Sequence, residues 1–123
     1  MPATGRRKER LADSIRRRVS EALLRDLRDP RLGFVTVTGV DLSGDLRVAQ
    51  VYVTILGDEQ RAVEALRALR RAQGFLERSL FRELRLRRPV EVRFHPDEAA
   101  GRAARIEAIM RNLREAGPGE ETE

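Results

Sequence analysis

The sequence contains no cysteine and no tryptophan, and it has only one histidine and one tyrosine. Without cysteine the chain can form neither a disulfide nor a thiolate metal site, which fits a reducing compartment. No apolar run approaches the roughly 20 residues that a membrane-spanning helix needs, and the charged first ten residues lack the apolar stretch of a secretory signal. We therefore expect a cytoplasmic protein that has no membrane partner.

The shortage of nucleophiles and bases argues against an enzyme. His95 is the only histidine, so the usual pairs of nucleophile and base are absent. Asp97 and Glu98 follow it closely, but the run from His95 to Glu98 is more typical of a strand exit followed by a helix cap. A magnesium-dependent ribonuclease, the enzymatic alternative, would need several converging carboxylates. The other close carboxylate pairs, Asp41 with Asp45 and Asp58 with Glu59, lie in predicted turns. We expect no catalytic residue, metal, cofactor or small-molecule substrate.

Positive charge is plentiful and unevenly placed. The net charge is +5, and every basic residue except Lys8 is an arginine. Residues 6–31 carry ten basic and five acidic side chains, and residues 61–93 carry ten and four. In contrast, residues 32–60 carry one and four, and residues 94–123 carry four and seven. Two basic segments, each followed by an acidic one, indicate an electropositive face suited to nucleic acid.

The apolar pattern predicts a small α+β protein. Three strands cannot bury both faces of a sheet, so we expect the helices to cover one face. A domain over residues 7–114 would lie between a flexible segment, 1–6, and a disordered acidic tail, 115–123. The predicted elements are a helix over 7–28, a hairpin of strands near 34–42 and 46–55 with a bend or bulge at Gly39, a helix from the cap Asp58 to about Leu86, a strand around Val90–Phe94, and a last helix marked by Ala99, Ala103, Ile106, Met110 and Leu113.

A glycine stands inside the long helical segment. Gly74 costs on the order of 1 kcal/mol there relative to alanine, and at 100° per residue it falls among arginines opposite a leucine-rich side. If the chain breaks at Gly74 and a new helix begins, the N–H groups of Phe75 and Leu76 become free to bind a phosphate. The predicted RNA-binding residues are Arg67, Arg70, Arg71, Gly74, Arg78, Arg82 and Arg85, helped by Arg16, Arg17 and Arg18 of the first helix and by the basic start at 6–10.

The same residues also allow simpler interpretations that involve no RNA. Arginines opposite a leucine stripe form an ordinary solvated helix face in many proteins, and a glycine permits a bend without binding anything. Phe75 lies near the arginine edge, where it either stacks on a base or turns into the core.

Several spaced motifs resemble one bacterial family. "DPRLGFVTVTGV", then "SGDLRVAQVYVT", then Ala72-Gln73-Gly74, which matches a characteristic Ala-x-Gly interruption, occur in the order found in ribosome-binding factor A. The resemblance extends from about residue 7 to 114.

The resemblance implies a type II KH-like fold, in which the kink formed by Ala72, Gln73 and Gly74 stands where RNA-binding KH domains carry Gly-x-x-Gly. It implies a non-enzymatic assembly factor that binds the free 30S subunit and its 16S ribosomal RNA, assists late maturation and 5′-end processing, and matters most in the cold. We expect a monomer. The alternative is a general KH-like RNA-binding or protein-adaptor module without ribosome specificity.

Overall fold

The computed structural model describes residues 2–99, 110, 111 and 113. Met110, Arg111 and Leu113 are helical, but most of the predicted last helix and the predicted tail, 115–123, lie outside these residues. The described elements are α1 (Pro2–Glu21), a π-helical turn (Ala22–Asp26), a 3₁₀ turn (Pro30–Leu32), β1 (Val35–Leu42), β2 (Val48–Ile55), α2 (Glu59–Glu83) and β3 (Glu91–Pro96).

The first helix follows its apolar period but has different ends from those predicted. Ile15, Val19 and Leu23 are buried, as spacing at every fourth position predicts. The helix begins at Pro2 rather than at residue 7. Its continuation widens into a π turn, which the N–H of Leu27 closes by donating to the carbonyl of Ala22 at 3.0 Å. The π turn ends at Asp26, two residues before the predicted helix end at residue 28.

The three strands form one mixed sheet in the order β1-β2-β3. The hairpin pairing of β1 with β2 is antiparallel, and β2 pairs with β3 in parallel. Val37 pairs with Val53 but Gly39 pairs with Tyr52, so Thr38 is the extra residue of a β-bulge. The predicted irregularity at Gly39 is confirmed.

Both helices pack against one face of the sheet, as predicted. The core side chains of the sheet alternate with exposed or half-buried ones, which is the period of two expected for strands with one wet face. On the open face the ring of Tyr52 lies 5.5 Å from that of His95, and His95 Nε2 pairs with Gln50 Oε1. The buried strand residues are Val37, Leu42, Ala49, Val51, Val53, Val92 and Phe94.

The second helix is continuous. Asp58 caps it, as predicted, because its carboxylate accepts a hydrogen bond from the N–H of Arg61 at 2.9 Å. The predicted break at Gly74 is wrong: α2 runs through Gly74 from Glu59 to Glu83. The amides of Phe75 and Leu76 therefore belong to the helix interior and are not free for an anion. A bend of the axis at Gly74, which needs no break, stays a prediction. Within the described residues, no helix has both the length and the apolar character to cross a bilayer.

Candidate nucleic-acid interface

Four arginines and Gly74 follow one line along the exposed side of α2. Arg67, Arg71, Arg78 and Arg82 are spaced so that they fall within about 60° of one another around the helix axis, and Gly74 lies between the middle two. All four side chains are exposed. We call these four residues the arginine row. At 1.5 Å per residue it extends for about 22 Å along the helix.

The arginine row has no partner of its own within the part of the chain that is described. None of its four guanidinium groups forms an ion pair or a hydrogen bond with another described residue. Arg71 does influence one carboxylate: the pKa of Asp29 is lowered mainly by its hydrogen bonds from Arg31 and to a smaller extent by the charge of Arg71. Four solvated cations on one helix face are available to an anionic polymer.

Two further predicted residues flank the arginine row. Arg70 is exposed on the side of the helix, about 60° from Arg67. Arg85 lies just beyond the helix end, in the left-handed region with φ of 53°. There the N–H of Leu86 donates to the carbonyl of Phe81 at 3.1 Å, and the N–H of Arg85 donates to that of Arg82 at 3.4 Å. This is a Schellman motif, which usually has glycine at the position of Arg85.

The arginines of the first helix have carboxylate partners. Arg16 and Arg17 both bond to Asp13, at 2.8 and 2.7 Å, and hydrogen bonding by Arg16 is the largest cause that lowers the pKa of Asp13. Arg18 bonds to Asp26 at 2.7 Å, and its side chain is only 20% exposed. Three successive helical positions point in directions 100° apart, so these arginines do not form one face. Their contact with RNA stays a prediction, and Arg18 also ties α1 to the π turn.

A groove opens beside the arginine row. It has a volume of about 550 Å³ and lies where α2 faces the segment that leads into β3. Phe81, which is 42% exposed, is one of its apolar lining residues. Phe75 is 37% exposed and is therefore not in the core. We call this cavity the α2–Pro89 groove, and its lining residues are Gly74, Glu77, Arg78, Phe81, Arg82 and Pro89.

Glu77 connects the groove to the edge of the sheet. Its Oε2 accepts a hydrogen bond from the N–H of Val92 at 2.8 Å and another from Gln73 Nε2 at 3.0 Å. Because β3 is an edge strand, the N–H of Val92 has no strand to bond to on that side. The carboxylate satisfies that donor and fixes the position of α2 relative to β3.

Three lining residues of the groove, Glu77, Phe81 and Pro89, were not among the predicted site residues. Phe81 carried a usable signal, since it is seven residues after Gly74 and so lies on the same side of the helix. The sequence contains no such signal for Glu77 and Pro89, because their position in the groove depends on how α2 packs against β3.

The fold and the site together define a small KH-like domain with a cationic helix face. The three-stranded sheet, the two helices on one side and the long second helix are the features that place it in this class. The family model described as ribosome-binding factor A matches residues 7–110, and the chain belongs to that family.

Solved structures of this family have the same fold. The crystal structure of ribosome-binding factor A from Thermus thermophilus is 39% identical in sequence over 72% of this chain and 94% of its own, with a TM-score of 0.64. A solution NMR structure from Thermotoga maritima, described as a putative ribosome binding factor A, is 42% identical over 72% of this chain and 85% of its own, with a TM-score of 0.64.

A third related structure carries information about a complex. It is a homology model of the Thermus thermophilus factor as fitted into a cryo-electron-microscopy map of a 30S complex. It is 39% identical over 71% of this chain and 91% of its own, with a TM-score of 0.59.

Proposed function

We propose that this protein is a ribosome assembly factor that binds the free 30S subunit by placing the arginine row against phosphates of 16S ribosomal RNA. It assists late maturation of that RNA, including processing at the 5′ end, and it acts as a monomer in the cytoplasm. It binds without catalysing a reaction. Its contribution would be most needed in the cold.

The observation that carries this proposal is the alignment, on one helix face, of four exposed arginines that have no ion-pair or hydrogen-bond partner among the described residues. Guanidinium groups form charge-assisted hydrogen bonds with phosphate oxygens, often two at a time. A row about 22 Å long reaches several phosphates of one strand, and contacts of this type fix position without reading sequence.

Membership of the ribosome-binding factor A family supports the choice of the small subunit as partner. The Thermus thermophilus relative has been fitted into a map of a 30S complex. A factor of this size helps assembly by binding one conformation of the RNA more tightly than others, which shifts the population toward that conformation. This mode of action requires binding energy and no catalytic group.

Replacing two central members of the row tests the proposal. Arg71→Ala combined with Arg78→Ala should weaken binding to purified small subunits. It should also reduce the slope of log affinity against log salt by about 1.5, because each lost phosphate contact removes roughly 0.7 to 0.9 from that slope. Sedimentation of the protein with small subunits at several salt concentrations measures both quantities.

The control removes the same charge elsewhere. Arg47→Ala with Arg93→Ala changes two exposed arginines of the sheet region, away from α2, and should leave the salt slope unchanged. Thermal unfolding of both double variants checks that the fold is intact. If the α2 variant binds as the unmodified protein does, the arginine row is not the contact surface. A salt slope near zero for the unmodified protein would instead favour a protein adaptor held by apolar contacts.

A further inference from the structure

The two carboxylate oxygens of Glu77 are used differently. Oε2 accepts two hydrogen bonds, one from the N–H of Val92 and one from Nε2 of Gln73. Oε1 accepts none from any described residue, although Glu77 is half-buried and lines the α2–Pro89 groove. A carboxylate of a half-buried residue beside apolar walls gains from a donor that enters the groove.

We propose that the α2–Pro89 groove binds one unpaired nucleobase of the strand held by the arginine row, and that Glu77 favours bases with an exocyclic amino group. This inference rests on the proposed function and adds a ligand class and a specificity-determining residue to it. The assignment uses three properties of the groove: its apolar surface, its flanking cations, and Oε1 of Glu77, which accepts no hydrogen bond from a described residue.

The shape and charge of the groove suit a base that is still attached to its phosphates. A volume of about 550 Å³ lies within the range of about 300 to 1,000 Å³ that small-molecule pockets occupy. The exposed ring of Phe81 provides a flat apolar surface of the kind on which bases stack. Arg78 and Arg82 belong to both the groove and the arginine row, so a strand that pairs its phosphates with them brings its bases to the groove.

Oε1 of Glu77 determines which bases the groove prefers. Adenine, cytosine and guanine each carry an exocyclic amino group whose N–H can donate to Oε1. Uracil has only a ring N–H that stands between two carbonyl oxygens, and these oxygens repel a carboxylate. Since a hydrogen bond to a charged group is stronger than one between neutral groups, we expect roughly tenfold tighter binding of adenine or cytosine than of uracil.

Short single-stranded oligoribonucleotides of one base test this preference. The full chain is titrated against fluorescent oligo(A), oligo(C) and oligo(U) of equal length, at several salt concentrations. Oligo(A) and oligo(C) should bind roughly tenfold more tightly than oligo(U). Equal affinity for the three oligonucleotides would overturn the inference, because the groove would then show no preference among bases.

Glu77→Gln changes the preference without removing the edge contact. The amide oxygen still accepts from the N–H of Val92, so the amide NH₂ takes the place of Oε1 and offers a donor where the carboxylate offered an acceptor. Oligo(U) should then bind at least as well as oligo(C). The matched control is Glu83→Gln, the same change at an exposed position of α2 outside the groove, which should keep the original preference. A preference that survives Glu77→Gln with the fold intact would remove Glu77 from the role.

The same titrations separate this inference from the proposed function. The salt slope reports on phosphate contacts of the arginine row, whereas the ratio of affinities reports on the groove. A steep slope without base preference would refute the groove assignment and leave the proposed function standing. A slope near zero for every oligonucleotide and for small subunits would refute both.

Discussion

Gly74 shows why one residue does not decide the course of a helix. A glycine in a helix interior costs about 1 kcal/mol relative to alanine. Leu69 and Leu76, on either side of it, and Leu80 are buried, and each contributes roughly 1.5 to 3 kcal/mol when removed from water. Packing on both sides of Gly74 therefore outweighs its cost, and α2 continues.

Gly74→Ala should stabilise the protein, because α2 continues through this position and does not break there. The φ of Gly74 is not positive, and an added Cβ would meet only the Nη1 of Arg78, at 3.3 Å, which is the end of a flexible side chain. We expect a gain of about 1 kcal/mol and a rise in Tm of roughly 3 to 6 °C. Thermal unfolding followed by circular dichroism measures it, and a loss of stability would contradict this account.

The same variant also tests how closely RNA approaches the helix. If a strand lies against the Gly74 position, the added methyl group should weaken oligonucleotide binding while the salt slope stays the same, because no charge has changed. Unaltered affinity would show that the strand passes at a distance.

At the scale of elements, the end of α2 contains an unusual choice of residue. Arg85 adopts the left-handed conformation of the Schellman motif, which costs a residue with a side chain roughly 1 to 2 kcal/mol. Arg85 has this backbone cost and lies next to the arginine row, so we infer that its guanidinium group contributes to binding.

Comparing two substitutions of Arg85 separates the backbone cost from the charge. Arg85→Gly and Arg85→Ala both remove the cation, but only glycine relieves the left-handed backbone. The glycine variant should therefore be more stable than the alanine variant by about 1 kcal/mol. Both should weaken small-subunit binding to the same extent. Urea unfolding and sedimentation provide the two measurements, and equal stabilities would mean that the helix end is not strained.

The elements that the sequence predicts well are those whose signal is periodic. The strands and their buried faces are visible as alternation, and the bulge follows from Gly39 beside that alternation. The π turn was missed because it differs from an α-helix by one residue per turn and leaves the same apolar residues, such as Leu23, inside.

Only the periodic part of the candidate site could be predicted from the sequence. The arginine row is a helix-face pattern, so it can be read from spacing alone. The α2–Pro89 groove depends on two segments that meet in space, with Glu77 fifteen positions before Val92, and no spacing rule connects them. The predicted break at Gly74 is wrong because the burial of the neighbouring leucines outweighs the cost of the glycine.

At the scale of the whole molecule, the 25 lysine and arginine residues are partly offset by 20 aspartate and glutamate carboxylates. Four of them have lowered pKa values: Asp13, Asp29 and Glu91 mainly through hydrogen bonds from Arg16, Arg31 and Arg93, and Asp45 mainly through the hydroxyl of Ser43. A carboxylate with a lowered pKa stabilises the fold fully above its unfolded value, 3.8 for aspartate and 4.5 for glutamate, and this stabilisation is lost as the pH falls through the lower folded value.

Acid should therefore destabilise the protein in two ways at once. Tm should stay nearly constant down to about pH 5 and fall steeply below about pH 4, where the carboxylates lose their charge. When all carboxylates of the chain are neutral, its 25 lysine and arginine residues repel one another without opposition. Thermal unfolding between neutral pH and about pH 2 follows this loss.

Added salt distinguishes the loss of carboxylate interactions from the repulsion between cations. It should weaken RNA binding at neutral pH but raise Tm in acid. Near neutral pH, added salt should weaken RNA binding strongly and change Tm little, since the exposed ion pairs contribute little. At the acid end of that pH range, near pH 2, added salt mainly screens the repulsion between cations and should raise Tm. If Tm at that pH does not respond to salt, the acid sensitivity comes from individual carboxylates and not from the net charge of the molecule.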